Sequence, residues 1–170
     1  MKTTKKLVLM ALLTALSLGI WVIEAQIPPL VPVPGVKLGL ANIVTLAAMV
    51  LLGKREAGDI LLARVVLGSL FAGSFSAIIF SLAGGVLAWA VMALTLNAFS
   101  EKQIWIVSAL GALAHNAGQL LAAIAVTKTP SLLWYGPALA ASAVVTGVFT
   151  GFAAMYLLRA TKRFVKTEEN

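Results

Sequence analysis

The sequence has no cysteine, one histidine and one aspartate. Without cysteine there is no disulfide framework, no thiolate metal site and no iron–sulfur centre. The lone His115 leaves no ordinary zinc site. The single aspartate, Asp59, excludes the paired aspartate-rich motifs that hold magnesium and diphosphate in prenyl-transferring enzymes. No Walker loop is present, so the chain cannot drive transport with ATP by itself. Charge is also scarce, at 11% of residues. These absences argue against catalysis: no catalytic residue, metal or cofactor is expected.

What fills the chain is apolar. Hydrophobic residues make up 61% of its 170 positions, and the mean hydropathy is +1.00. Several runs approach or exceed the roughly 20 residues that cross a bilayer. In lipid every backbone polar group must be paired internally, so such runs are expected to be helices. The sequence therefore predicts an all-α integral membrane protein, a six-helix bundle forming one transmembrane domain over residues 1–170. The spans are placed at about 7–27, 37–53, 60–80, 83–99, 104–126 and 132–160, the second being short, close to the proline segment and not required to cross the full bilayer. The third and fourth form one apolar block, with a tight turn predicted at Ser81–Gly85 on the strength of the Gly84-Gly85 pair. The basic start (Lys2, Lys5, Lys6) and the apolar run after it resemble a signal peptide, but no small-residue cleavage site follows, so a retained first span is expected.

The net charge of +7 does not point to nucleic acid, because the basic residues cluster at span ends. With the N-terminus inside, the cytoplasmic loops and tails hold Lys2, Lys5, Lys6, Lys54, Arg55, Lys102, Arg159, Lys162, Arg163 and Lys166. The outer loops hold only Lys37 and Lys128. This bias places both termini in the cytoplasm of a multi-pass cell-membrane protein. Arg64 lies about one turn inside the third span on this scheme, where snorkelling to the cytoplasmic interface near Asp59 or Glu56 accounts for it.

The stretch from Glu24 to Asn42 interrupts the pattern. Pro28, Pro29, Pro32 and Pro34 are followed by Gly35, and no helix crosses such a segment. Yet its other residues are mostly apolar: Ile27, Leu30, Val31, Val33 and Val36. An apolar, non-helical cap between two spans, rimmed by polar residues, has the character of a lid over a binding cavity; a stiff hairpin is the plainer alternative.

Polar groups collect in the same outer half. Glu24 and Gln26 end the first span, with Lys37 as the natural partner of Glu24 across the cap and Asn42 in the second span. Ser74, Ser76 and Ser81 line the third span, and Trp134 and Tyr135 open the sixth. His115, Asn116 and Gln119 lie near the middle of the fifth, His115 and Gln119 sharing a face at i, i+4. Polar residues at membrane depth usually face a cavity or a bundle interior. They are candidates for a ligand-binding wall, against the alternative that they bond helices to one another. Small residues form a further theme, with Ala11, Ala15 and Gly19 on the first helix and Gly147 and Gly151 on the sixth. Such stripes permit close helix approach, within the chain or to a partner.

Several of these pieces together carry a family resemblance: the Ala11-x-x-x-Ala15 stripe, PGVKLGLANIVTLAAMVLLG (34–53), ARVVLGSLFAGSFSAIIFSLAGG (63–85) and GALAHNAGQL (111–120). The chain resembles the Gx transporter family, also labelled heptaprenyl diphosphate synthase component I, a group similar to the substrate-binding S components of energy-coupling factor (ECF) transporters. The resemblance implies a six-helix protein that captures a small vitamin-like or isoprenoid/quinone-related ligand from outside. It also implies docking on a transmembrane T component bound to two ATPase subunits, through the small residues Ala11, Ala15 and Gly19. The alternative is a non-catalytic membrane subunit associated with a prenyl (heptaprenyl) diphosphate synthase.

Overall fold

The computed structural model describes residues 3–28, 32–33, 35–73 and 75–167. Among them are six α-helices and no strand: α1 (Thr3–Ala25), α2 (Asn42–Leu51), α3 (Lys54–Ala72), α4 (Phe75–Thr95), α5 (Ile104–Thr127) and α6 (Gly136–Thr167). Short 3-10 turns precede α5 and α6. Four stretches are long and apolar enough to cross a membrane: Thr3–Ala25, Ser76–Ala98, Glu101–Thr127 and Pro130–Thr161. Much of their apolar surface faces outward, as Leu94, Val145 and Tyr156 do. Outward apolar side chains suit a hydrocarbon solvent, which makes this a membrane protein by length and composition.

The other two helices differ from the expected spans. Helix α2 has 10 residues rather than the predicted 37–53, and covers about 15 Å, half of a hydrocarbon core. It is also the most enclosed element, with Val44, Leu46, Ala47, Ala48 and Met49 all buried. Around them pack Leu13 of α1, Ala57 and Ile60 of α3, Ala88 and Met92 of α4, Val107 of α5 and Ala154 of α6. Helix α3 begins at Lys54, six residues before the predicted span, because Gly53 (φ +113°) turns the chain directly from α2 into α3.

The turn expected at Ser81–Gly85 is not there; that stretch lies inside α4. The chain reverses instead near Gly73, which ends α3 in the left-handed conformation (φ 60°) that glycine adopts without strain. Gly84 and Gly85 have another task. A Cβ on Gly84 would lie 2.8 Å from Gln119 Cγ, and one on Gly85 2.8 Å from Leu61 Cδ1. Across the interface, a Cβ on Gly118 would lie 2.5 Å from the carbonyl oxygen of Ala83. Gly84 and Gly118 thus let α4 and α5 cross closely, and Gly85 makes room for Leu61 of α3, the usual role of small residues between helices in lipid. Gly147 and Gly151 do the same between α6 and α5, where added Cβ atoms would meet Ala109 Cα at 2.5 Å and Trp105 Cα at 2.4 Å.

The basic helix ends gather at one end of the bundle. Lys6 of α1 pairs with Glu56 in the first turn of α3, and this contact holds the Glu56 carboxyl below its ordinary range. The indole Nε1 of Trp89 donates to the Lys54 carbonyl (2.9 Å), bringing the later part of α4 to the same end. At the opposite end a smaller core of Val33, Phe80, Leu120, Ala123 and Leu139 lies beneath the proline-rich segment.

Close crossing makes a stability prediction. Gly118→Ala is expected to lower the melting temperature, since the backbone it meets cannot give way and overpacking of this kind costs about 1–3 kcal/mol. Gly19→Ala, which meets nothing within 4 Å, is expected to leave it unchanged or slightly raised. Thermal unfolding of the two variants in one detergent checks both.

Candidate functional site

The non-helical backbone between α1 and α2 has no ladder of its own, and at membrane depth its N–H groups need protein partners. Isolated turns supply some, as where the Val36 N–H donates to the Val33 carbonyl at 3.3 Å, and two side chains supply others. Glu24, in the last turn of α1, accepts from the Gly39 N–H at 2.5 Å. Gln119, in the middle of α5, accepts from the Lys37 N–H at 2.9 Å. Gly39 (φ +78°) is required here, because a Cβ would lie 2.9 Å from His115 Cδ2. The Lys37 ammonium sits 4.3 Å from the centroid of the Trp21 ring, a cation–π contact.

This framework leaves two adjoining spaces. The larger, about 460 Å³, lies between the proline-rich segment and α1, α5 and α6; its wall is mainly aliphatic (Ile27, Val33, Val36, Leu38, Leu139), with Asn116 and Ser142 as polar points. Its volume is within the usual range for small-molecule sites. The smaller, about 10 Å³, lies deeper and is lined by Trp21, Asn42, Arg64, Ser81, His115 and Gln119. Glu24 and Lys37 border both.

Arg64 is the residue that sequence reasoning misplaced. It does not snorkel to an interface: it is 3% exposed and faces the deep polar space. The reason is the early start of α3. Counted from Lys54, Arg64 lies about 15 Å along the helix rather than one turn in. The cue available in the sequence was Gly53, directly before the Lys54–Glu56 charges that open a helix.

The polar residues divide by what they bond. Glu24 and Gln119 hold the segment's backbone, and Asn116 Nδ2 donates to the Leu139 carbonyl of α6 at 3.0 Å. These are contacts of the helix-bonding kind. Other buried atoms have no partner: Arg64 Nε, His115 Nδ1, Asn116 Oδ1, and both Oδ1 and Nδ2 of Asn42. A buried polar atom left unpaired is unfavourable, and a native structure holds few of them. Their concentration around one pair of spaces marks a site with unused hydrogen-bonding capacity.

Not every expected residue joins it. Ser81 is buried beside the deep space, but Gln26 and Ser76 are exposed, and Ser74 lies outside the described residues. Trp134 is 87% exposed, and Tyr135 packs against the Leu120–Leu139 core rather than either space. Both belong to the 3-10 turn Pro130–Tyr135, which runs ahead of α6 instead of forming its first turn. On α1, Ala11, Ala15 and Gly19 are all exposed and uncovered by the rest of the chain.

The division can be checked by mutation. Gln119→Ala orphans the part-buried Lys37 N–H and is expected to cost about 1–3 kcal/mol, seen as a lowered melting temperature of the ligand-free protein. Asn42→Ala removes an amide with no partner and is expected to cost clearly less. Equal losses for the two variants, measured side by side, count against the division.

No curated protein and no solved structure matches the chain. A family model, heptaprenyl diphosphate synthase component I, matches residues 13–157. That match takes in α1 from Leu13, the proline-rich segment, every residue around the two spaces and most of α6. The chain is therefore a membrane protein of the heptaprenyl diphosphate synthase component I family, the Gx transporter-like group that its motifs resemble.

Proposed function

We propose that the protein is the substrate-binding S component of an ECF-type transporter. On this reading it is non-catalytic and captures a small vitamin-like or isoprenoid/quinone-related molecule from the outer side of the cell membrane. The observation that carries the reading is the cavity of about 460 Å³ beneath the proline-rich segment, adjoining buried polar atoms that no protein group satisfies. Binding there replaces unpaired atoms with paired ones, which gives a polar ligand its orientation while the aliphatic wall supplies affinity. The uncovered stripe of Ala11, Ala15 and Gly19 supports the second half of the reading, docking on a T component that carries two ATPases. The family description favours one alternative, a membrane subunit that accompanies a prenyl diphosphate synthase.

Purification after mild extraction separates the two. A small molecule released from the protein at near-equal stoichiometry, identified by mass spectrometry, is the expected outcome. A soluble synthase recovered with the protein, and no small molecule, favours the alternative.

Docking has its own test. Ala11→Trp and Ala15→Trp place bulk on a surface where nothing in the chain is displaced, so each variant is expected to fold and keep its ligand. Each is also expected to lose co-purification with the T component. If the complex survives both changes, the stripe is not the docking face.

Orientation follows from charge and is equally testable, because the chain has no cysteine background. Cysteines at the exposed positions Lys128 and Lys102 are expected to label oppositely with a membrane-impermeant thiol reagent on intact cells: 128 reacts and 102 does not. The reverse pattern places the proposed site on the cytoplasmic side.

A further inference from the structure

Counting charges around the two spaces narrows the class of molecule they accept, provided the binding-protein reading holds. Three charged side chains border them: Glu24, Lys37 and Arg64. Glu24 is spoken for by a backbone N–H, and Lys37 faces both Glu24 and the Trp21 ring. Arg64 is 3% exposed, its Nε has no partner, and among the described residues no carboxylate lies within ion-pair distance of it. His115, buried beside a guanidinium and without an acidic partner, adds no compensating charge. Two cations against one anion leave one positive charge in surplus around the spaces. Lys37 is half-buried, and Arg64 is the fully buried cation, facing Glu24 from beyond ion-pair distance. Such a charge is costly unless something of opposite sign comes to meet it.

Shape agrees with charge. The deep space beside Arg64 has room for one water-sized group. It adjoins the larger aliphatic space at Glu24 and Lys37. We propose that the occupant is an amphipathic monoanion, its aliphatic body in the larger space and a single carboxylate-type head at Lys37, one head oxygen entering the deep space toward Arg64. A guanidinium suits that oxygen, because it is a permanent cation with several N–H donors and no acceptor. A prenyl diphosphate is the wrong match: its several negative charges would turn a surplus of one positive charge into a larger surplus of negative charge. A cationic amphipath would enlarge the surplus already there.

One aliphatic body with four heads tests this: geranic acid, geraniol, geranylamine and geranyl diphosphate. Each is titrated at neutral pH against the full chain in nanodiscs of zwitterionic lipid, with empty nanodiscs as the blank. Geranic acid is expected to bind about thirtyfold or more tightly than the other three, the scale set by a desolvated charge pair. Arg64→Gln is expected to bring geranic acid down to the level of geraniol and leave geraniol unchanged, and Arg64→Lys to keep part of the preference. The melting temperature of ligand-free Arg64→Gln is expected not to fall, since that variant loses an unmatched charge. Lys37→Gln, measured in the same way, should weaken geranic acid selectively and so provides the arm that does not rely on changing α3.

The proposal is overturned if geraniol, the amine or the diphosphate binds as well as geranic acid, or if Arg64→Gln leaves the preference intact. It is also overturned if the ligand-free Arg64→Gln protein melts several degrees lower, which makes Arg64 a structural residue. Binding of a different head leaves the binding-protein reading standing and removes only the monoanion. No binding of any of the four counts against the cavity as a binding site, and the monoanion falls with it.

Discussion

The structure depends on a backbone that pairs with itself only in isolated turns. Prolines forbid a helix between α1 and α2, and hydrocarbon forbids an unsatisfied backbone, so this segment is tolerable only where side chains bond it. Glu24 and Gln119 do so from α1 and α5. With that requirement met, α2 need be no longer than the other half of the bilayer, and its ten residues can be almost wholly buried. A short central helix beneath a non-helical segment leaves space in one half of the bundle, whereas full-length helices would have filled it.

The same requirement separates polar residues that hold the fold from those that do not. Glu24, Gln119 and Asn116 Nδ2 have partners whose loss would expose backbone. Arg64 Nε, the Asn42 amide and His115 Nδ1 have none. Packing alone gives no reason to bury them, since an apolar side chain of equal size is at least as stabilising at an unpaired position. Groups retained at a cost to stability are characteristic of sites whose partner is supplied from outside.

Much of this was legible in the sequence, for physical reasons that differ by element. Long apolar runs have one solution in lipid, so α1, α5 and α6 fell close to their predicted places. His115 and Gln119 share a face because a helix repeats every 3.6 residues, and both do border the deep space. Glycine was ambiguous. Gly84-Gly85 and Gly73 carry the same local signal, and only the partner helices tell packing from turning: Gly118 of α5 lies against Gly84 and Leu61 of α3 against Gly85, while a Cβ on Gly73 would meet nothing within 4 Å. Misplacing that turn and starting α3 late moved Arg64 toward an interface. Aromatic character misled at Trp134, whose exposed ring suits the edge of a bilayer rather than a pocket.

Helix α1 presents two faces with different occupations. Leu13, Ser17, Trp21 and Glu24 point into the bundle, and Ala11, Ala15 and Gly19 point out of it. An unbroken helix is a stiff rod, so a twist applied to one face is delivered to the other without intermediates. A molecule that draws Lys37 away from Trp21, or shifts Glu24, acts on the same rod that carries the uncovered alanines. Under thermodynamic linkage any such coupling is reciprocal: on the proposed reading, a neighbour that binds α1 more tightly when the cavity is filled also tightens the hold on the occupant, by the same factor. A single rod bordering both surfaces gives that coupling a direct mechanical route.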